Sequence, residues 1–131
     1  MSKSFLKFIP LILFSISLNA QLSKKFEPID IFDIEYISSP EISPQGDKIL
    51  FLRNFKDIMT DKNLSNLWLV NFDGSDMRPI TTGNHNASSP KWSHSGKMFT
   101  YKFNEEGKSQ LYLYNLENNS TQKLTNMQSS I

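Results

Sequence analysis

Residues 39–46 read Ser-Pro-Glu-Ile-Ser-Pro-Gln-Gly, and residues 89–96 read Ser-Pro-Lys-Trp-Ser-His-Ser-Gly. The two copies lie 50 residues apart, and an apolar run follows each of them, at residues 49–52 and 98–101. A spacing of this length is typical of a chain that repeats one structural unit. The repeat therefore decides the fold, and the rest of the sequence can be aligned on it.

A second block repeats at a shorter spacing. Residues 67–71 read Leu-Trp-Leu-Val-Asn, and residues 111–115, which lie 44 positions later, read Leu-Tyr-Leu-Tyr-Asn. The six-residue difference arises between the two blocks, where residues 53–66 correspond to the shorter segment 103–110. We expect the insertion to lie in a surface turn, because turns tolerate changes of length that strands do not.

Each repeat predicts about four β-strands. Its apolar runs are rich in β-branched and aromatic residues and have the length of strands. Residues 67–70 and 111–114 are apolar throughout, which predicts strands that are covered on both faces. Asp73-Gly74 is typical of a hairpin turn. Four strands in a period of 44 to 50 residues predict an all-β fold, namely the first two blades of a β-propeller with four-stranded antiparallel blades.

The first twenty residues form a separate segment. Lys3 and Lys7 precede an apolar run over residues 8–18, and Leu18-Asn19-Ala20 offers a cleavage site for signal peptidase. The run is too short for a membrane span, which needs roughly 20 apolar residues. We therefore predict a signal peptide at residues 1–20, an exported (periplasmic or extracellular) protein and no membrane contact after cleavage.

The remaining chain divides into an N-terminal segment and the repeats. Residues 21–37 contain a predicted short helix from Glu27 to Tyr36, since Pro28 suits a first helical turn. Residues 38–131 form the predicted partial propeller, with blade repeats at about 38–83 and 88–127. Propellers contain roughly four to eight blades. We expect the chain to be the opening part of a longer reading frame, with a small protein that assembles blades from several chains as the alternative.

Composition excludes several classes of function. The 131 residues carry a formal net charge of +1 and contain two arginines, Arg53 and Arg78, so they offer no basic stripe for nucleic acid. Removal of residues 1–20 leaves 12 basic and 13 acidic residues. The chain contains no cysteine, which excludes disulfides and cysteine-based zinc sites. We expect no cofactor and no metal.

The order of motifs resembles a known family. Residues 43–48, Ser-Pro-Gln-Gly-Asp-Lys, are similar to the Ser-Pro-Asp-Gly-Lys turn of propeller repeats in the prolyl oligopeptidase family of serine peptidases. The order of its features makes the chain similar to the start of exported acylaminoacyl-peptidases and dipeptidyl peptidases. These features are an exported N-terminus, a helix that ends in Phe-Asp-Ile-Glu-Tyr (32–36), the insertion near residues 53–61 and the segment Arg-Pro-Ile-Thr-Thr-Gly (78–83). His94 and Gln45 depart from the usual turn residues.

The resemblance implies an N-terminal propeller that covers a C-terminal α/β-hydrolase domain and restricts access to short peptides. It places the catalytic Ser, Asp and His in that second domain, which would be joined in cis together with the remaining blades. A hydrolase nucleophile lies in a Gly-x-Ser-x-Gly elbow, and none of the five glycines of this chain flanks a serine in that way. We therefore assign no catalytic residue here and expect the 131 residues alone to be inactive.

Several side chains could bind a ligand, but each has a plainer structural role that we favour. His85 and His94 lie beside turn residues and are expected in solvated loops. Asp57 and Asp61 could bind a cation or a substrate amine, although a solvated loop or a local pair with Lys56 or Lys62 is expected instead. Glu105-Glu106 resembles the paired acids that hold a peptide N-terminus in some members of the family, although an exposed turn beside Gly107 is expected. Trp68 and Trp92 occupy repeat positions, which predicts packing between blades rather than an aromatic binding surface.

The sequence thus predicts the propeller portion of an exported serine peptidase, in which this region filters peptide substrates. The alternative is a non-catalytic periplasmic propeller that binds protein or peptide, as in the Tol translocation system. The turn motif is shared by both classes of protein, so the residues alone leave this alternative open.

Overall fold

The computed structural model describes residues 25–105 and 107–128. These residues form a short 3-10 helix, Pro28–Asp33, followed by eight strands. The strands are β1 (Tyr36–Ile42), β2 (Lys48–Asp57), β3 (Lys62–Asn71), β4 (Arg78–Pro79), β5 (Asn86–Trp92), β6 (Met98–Glu105), β7 (Lys108–Asn115) and β8 (Ser120–Lys123). The predicted signal peptide lies outside the described residues. Among the residues described, no helix has the length and apolar character that a membrane span requires.

The strands form one eight-stranded sheet that consists of two antiparallel groups of four, each in sequence order. Strands β1 to β4 pair successively and are called blade 1, and strands β5 to β8 pair in the same way and are called blade 2. One parallel bridge, between Ser65 of β3 and Asn86 of β5, connects the blades. The Ser65 hydroxyl donates a hydrogen bond to the Ala87 carbonyl over 2.6 Å at the same place. The predicted all-β fold with two repeats is confirmed.

The Ser-Pro step of the repeated motif forms the same backbone irregularity in both blades. Ser39 and Ser89 have positive φ angles of 50° and 51°. The pairing register shifts at each of them, between Ser38 and Glu41 in blade 1 and at the matching place in blade 2. A proline has no N–H to donate to a neighbouring strand, so it is tolerated at a bulge. The motif therefore encodes a bend in the first strand of each blade.

The second half of the motif forms the turn into the next strand. Gly46 and Gly96 have φ angles of 73° and 67°, a conformation that glycine adopts without steric cost. Their N–H groups donate to the carbonyls of Ser43 and Ser93 over 2.9 and 3.0 Å. The Ser43 hydroxyl also accepts a hydrogen bond from the Lys48 N–H over 3.1 Å. The serine and the glycine of the motif are thus fixed by the turn that both blades share.

The core lies between the blades and has two unlike sides. Blade 1 contributes four leucines and blade 2 contributes four aromatic residues, all of them buried. The residues are Leu50, Leu52, Leu67 and Leu69 on one side and Phe99, Tyr101, Tyr112 and Tyr114 on the other. Each blade is fully covered only on this side, because Trp68, Val70, Leu111 and Leu113 are half-buried. Within the described residues, the predicted covering of residues 67–70 and 111–114 on both faces is observed in full on one face only.

The six-residue insertion of the first repeat lies only partly in a turn. Strands β2 and β3 contain ten residues each, whereas β6 and β7 contain eight. Two extra residues in each strand and two in the turn account for the difference. The expectation of a surface turn was therefore too narrow, since antiparallel pairing continues to Asp57 and Lys62 at the end of the longer hairpin.

The N-terminal helix is shorter and tighter than predicted. It ends at Asp33, where the Ile34 N–H donates to the Ile31 carbonyl in the 3-10 pattern. Tyr36, predicted as helical, is the first residue of β1 and pairs with Asn54 of β2. Pairing with the sheet draws this end of the segment into an extended conformation, which overrides its local helical preference.

Candidate functional site

The two blades are linked by side chains that occupy equivalent repeat positions. The Lys91 ammonium group forms an ion pair with the Glu41 carboxylate, and these residues lie 50 positions apart. The Trp92 indole N–H donates to the Glu41 carbonyl over 3.0 Å. The Trp92 ring also packs edge-on against Phe99, with ring centroids 5.2 Å apart. Trp92 therefore contributes to packing between blades, as predicted.

Trp68 lies elsewhere, on the face of blade 1 that points away from blade 2. Its ring stacks on Phe51 with centroids 6.4 Å apart, and the two rings form the floor of a groove of about 470 Å³. Ile37 and Met77, which are 64% and 61% exposed, lie at the rim of the groove. We call this surface the outer face of blade 1. The predicted packing of Trp68 between blades is not observed among the described residues.

An arginine lies over this aromatic floor. The Arg53 guanidinium carbon is 5.6 Å from the Trp68 ring centroid. Its Nε and Nη2 donate to the two oxygens of Glu35 over 2.8 and 2.5 Å. Glu35 lies in the extended segment between the helix and β1. Because the helix ends at Asp33, this segment places Glu35 beside Arg53 of β2. Stacking and a bidentate carboxylate together fix the guanidinium in place.

The outer face is suited to binding apolar groups rather than to chemistry. Its lining is mostly apolar, and the charges of Arg53 and Glu35 are satisfied by each other. Nucleophilic catalysis needs a serine, cysteine or similar group within hydrogen-bond reach of a base. The groove lining contains no histidine, serine, threonine or cysteine. Contact with another apolar surface is the interaction that this geometry favours.

The paired aspartates of the insertion lie at the tip of the β2–β3 hairpin. Asp61 forms an ion pair with Lys56 over 2.8 Å, which is one of the local pairs expected from the sequence. Asp57 accepts hydrogen bonds from the Thr60 hydroxyl over 2.6 Å and from the Met59 N–H over 3.1 Å. These bonds lower the pKa of Asp57, with the hydroxyl as the larger cause. Both carboxylates therefore make local contacts that stabilise the hairpin turn.

The two histidines and Glu105 also make contacts that suit a structural role. His85 and His94 are exposed, and the His85 ring lies 5.2 Å from that of Phe103. Glu105 accepts a hydrogen bond from Lys123 over 3.4 Å. Its sequence neighbour Glu106 lies outside the described residues. Within the described chain, no group of three histidine or acidic side chains is placed to hold a metal ion.

Sequence reasoning missed the outer face of blade 1. One signal was available, because alignment of the repeats places Arg53 where the second copy has Phe103. A cation at a position that packs in the core of the other repeat indicates a different environment. The ion pair of Glu35 with Arg53 is not predicted by the sequence, because the predicted helix from Glu27 to Tyr36 places Glu35 outside the sheet.

Comparisons with known proteins agree with this fold. Over 69 residues the chain is 33% identical to dipeptidyl-peptidase 5 of Porphyromonas gingivalis, a match that covers 53% of this chain and 10% of that protein. The chain thus spans about a tenth of this curated relative. No family model matches the sequence.

Solved structures show the same fold. An acylaminoacyl peptidase in complex with a chloromethyl ketone matches with a TM-score of 0.63 and 18% identity, over 74% of this chain and 15% of that one. The β-propeller domain of the trilobed protease from Pyrococcus furiosus matches with a TM-score of 0.56 and 26% identity, over 70% of this chain and 28% of that one. The chain therefore covers a partial β-propeller region, homologous to part of dipeptidyl-peptidase 5 and equal in fold to the propellers of these peptidases.

Proposed function

We propose that this chain is the N-terminal propeller portion of an exported serine peptidase of the prolyl oligopeptidase family. The observation that carries the proposal is the 33% identity with dipeptidyl-peptidase 5, in a chain whose two blades match peptidase propellers in fold. The name of that relative implies removal of dipeptides from peptide substrates. In this proposal, the parent protein hydrolyses short peptides and this region contributes no catalytic group.

The role proposed for the region is to limit which substrates reach the catalytic domain. In this proposal, the packed blades exclude folded proteins sterically, and short peptides reach the catalytic domain. The Glu41–Lys91 ion pair and the Trp92 hydrogen bond support this role, since they hold the first strands of the two blades together. The Lys3 and Lys7 pattern with its apolar run supports export.

The proposal is tested on the native protein that contains this chain. Antibodies raised against the 131-residue chain are used to isolate that protein from its source, and the isolate is treated with a fluorophosphonate probe that labels activated serines. The proposal expects one labelled polypeptide much larger than 15.1 kDa, together with hydrolysis of dipeptide-releasing substrates. Isolation of an unlabelled protein without peptidase activity contradicts the proposal and favours a binding propeller.

A further inference from the structure

The two blades meet at a cleft that is lined largely by polar side chains. The cleft has a volume of about 320 Å³ and is lined by residues of β3, of β6 and of the segment that enters β5. Residues of both blades line it, so it is formed without any further blade. We call it the junction cleft, and its polar side chains are those of Lys62, Asn84, His85, Asn86 and Asn104.

These polar side chains are not required by the repeat. The segment that enters the first strand reads Ile-Glu-Tyr at residues 34–36 of blade 1 and Asn-His-Asn at residues 84–86 of blade 2. Both segments lead into a strand that pairs in the same way, since Tyr36 pairs with Asn54 and Asn86 pairs with Asn104. Because the fold forms with either set of residues, the amides and the imidazole at this junction indicate a role other than strand formation.

Asn104 has hydrogen-bonding capacity that the fold does not use. Its counterpart in blade 1 is Asn54, whose Nδ2 donates to the Tyr36 carbonyl over 3.2 Å and to the Ser38 hydroxyl over 2.8 Å. Asn104 is half-buried, and its side-chain amide makes no hydrogen bond to the residues that the structure describes. Its amide therefore offers both a donor and an acceptor to a ligand in the cleft.

Two neighbouring side chains are held by contacts that leave hydrogen-bonding atoms available. The His85 ring packs against Phe103 with ring centroids 5.2 Å apart, and its nitrogens have no hydrogen-bond partner in the described part of the chain. The Asn86 Oδ1 lies 3.4 Å from the Ser65 hydroxyl, while the Asn86 Nδ2 has no partner among residues 25–105 and 107–128. Side chains that are already held in place lose less freedom when a ligand binds, which favours binding.

The charge of the junction cleft favours an anion. Lys62 supplies an ammonium group, and the described lining contains no carboxylate. Asp57 pairs with Lys62 across β2 and β3, but its carboxylate accepts hydrogen bonds from the hairpin turn. Asp61 forms its ion pair with Lys56. A single cation beside several amides suits a carboxylate, whereas a phosphate is more often bound by arginine or by several cations.

We propose that the junction cleft binds a carboxylate, with Lys62 as its counter-ion and the amides of Asn86 and Asn104 as hydrogen-bond donors. The His85 ring supplies a further N–H donor. The C terminus of a peptide and the side chain of an acidic residue both present this group, and they are the two sources that the test distinguishes. The inference goes beyond the peptidase proposal, because it requires no catalytic activity of the protein that contains this chain.

Titration of short peptides into the isotope-labelled chain tests the inference. The probes are acetyl-Gly-Gly-Glu-amide, with a side-chain carboxylate, and acetyl-Gly-Gly-Gly, with a C-terminal one. Acetyl-Gly-Gly-Gln-amide resembles the first probe in shape but carries no charge. At least one carboxylate probe should shift the side-chain signals of His85, Asn86 and Asn104, whereas the glutamine probe should leave them unchanged. The carboxylate probe that binds more tightly identifies the source.

A chain without the dispersed amide spectrum of a folded protein is replaced by the complete native protein that contains it. That protein is first treated with a fluorophosphonate so that the probes are not hydrolysed, and binding is followed by calorimetry. The expected order of affinities is the same, with a carboxylate probe above the glutamine probe.

Variants locate the binding in the cleft. Lys62→Gln removes the positive charge and should weaken binding about threefold or more. Asn104→Leu removes the amide at similar volume and should also weaken binding. Lys108→Gln is the matched control, because Lys108 begins β7 as Lys62 begins β3 but lies outside the junction cleft. Added salt should weaken binding to the unchanged chain more than binding to Lys62→Gln.

Several outcomes would overturn the inference. They are the failure of both carboxylate probes to bind, equal binding of the glutamine probe, and an affinity that Lys62→Gln leaves unchanged. Inorganic phosphate, titrated in the same way, should bind more weakly than the better carboxylate probe, and tighter binding of phosphate would also contradict the assignment.

Discussion

The side chain of Gln45 lies against the backbone of Gly96 in the neighbouring blade. Its Nε2 donates to the Ser95 carbonyl over 2.9 Å, and a Cβ atom on Gly96 would lie 1.8 Å from its Oε1. Both residues belong to the turns that the repeated motif forms. The turn of blade 1 therefore contacts the turn of blade 2 directly, and a side chain at position 96 would displace the Gln45 side chain.

Alanine at position 96 should destabilise the chain more than alanine at position 46. Both glycines have positive φ, so each substitution costs about 1 kcal/mol in backbone strain. A Cβ at Gly46 meets open space, whereas a Cβ at Gly96 displaces Gln45 and its hydrogen bond, for a further loss of about 1 kcal/mol. Urea unfolding measures both. In a Gln45→Ala background the difference between the two glycine variants should disappear; its persistence would contradict this contact.

Leu67 and Leu111 occupy equivalent repeat positions and should respond differently to truncation. Leu67 is fully buried between the blades, so Leu67→Ala should cost about 2–5 kcal/mol. Leu111 is half-buried on the open face of blade 2, so Leu111→Ala should cost about 1 kcal/mol. The measurement is the free energy of unfolding from urea titrations. Equal losses at the two positions would show that the interface between the blades is not the core.

Gln110 should hold the segment that follows β8. Its Oε1 accepts hydrogen bonds from the Thr125 hydroxyl and the Met127 N–H over 2.8 and 2.9 Å, and its Nε2 donates to the Met127 carbonyl over 3.0 Å. Gln110→Ala removes these bonds from a side chain that is 3% exposed, and should cost about 1–3 kcal/mol.

The matched control for Gln110 is the equivalent residue of the first repeat, Asn66. Its buried Oδ1 has no hydrogen-bond partner among the described residues, so Asn66→Ala should cost less. Amide hydrogen exchange at Met127 should accelerate in Gln110→Ala and stay unchanged in Asn66→Ala. Unchanged exchange in both variants would contradict the role assigned to Gln110.

Acidic pH should lower the folding stability of the chain, in part through protonation of the Asp47 carboxylate. A hydrogen bond with the Ser43 hydroxyl, and then one from Lys48, lowers the pKa of Asp47 below its ordinary value of 3.8. A lowered pKa in the folded state stabilises the fold above pH 3.8, and this contribution is lost as the pH falls through the folded-state pKa.

Urea midpoints measured between neutral and acidic pH test this relationship. Ser43→Ala should flatten the fall in stability at acidic pH, because it removes the main cause of the lowered pKa. Ser93→Ala is the control: its hydroxyl lies 3.1 Å from that of Ser95, and the residue equivalent to Asp47 is Lys97. Equal pH dependence in the unchanged chain and in Ser43→Ala would contradict the assignment.

Local sequence patterns predict the strands and turns well. The serine and glycine of the motif form the same turn in both copies, at Ser43 and Gly46 and at Ser93 and Gly96. They predict less about residues whose conformation depends on a distant partner. Tyr36 follows a helical pattern but belongs to a strand through its pairing with Asn54. The outer face of blade 1 could not be found from local patterns, since the ring stacking of Phe51 and Trp68 and the Arg53–Glu35 pair join segments that are distant in sequence.

The reading frame that encodes these 131 residues tests the central claim most directly. Its complete sequence should continue through further blades into an α/β-hydrolase domain with a Gly-x-Ser-x-Gly nucleophile elbow, followed by the Asp and His of a triad. That result would establish the chain as the propeller portion of a serine peptidase. A frame that contains blades but no such elbow would contradict the account and make a binding propeller the leading function.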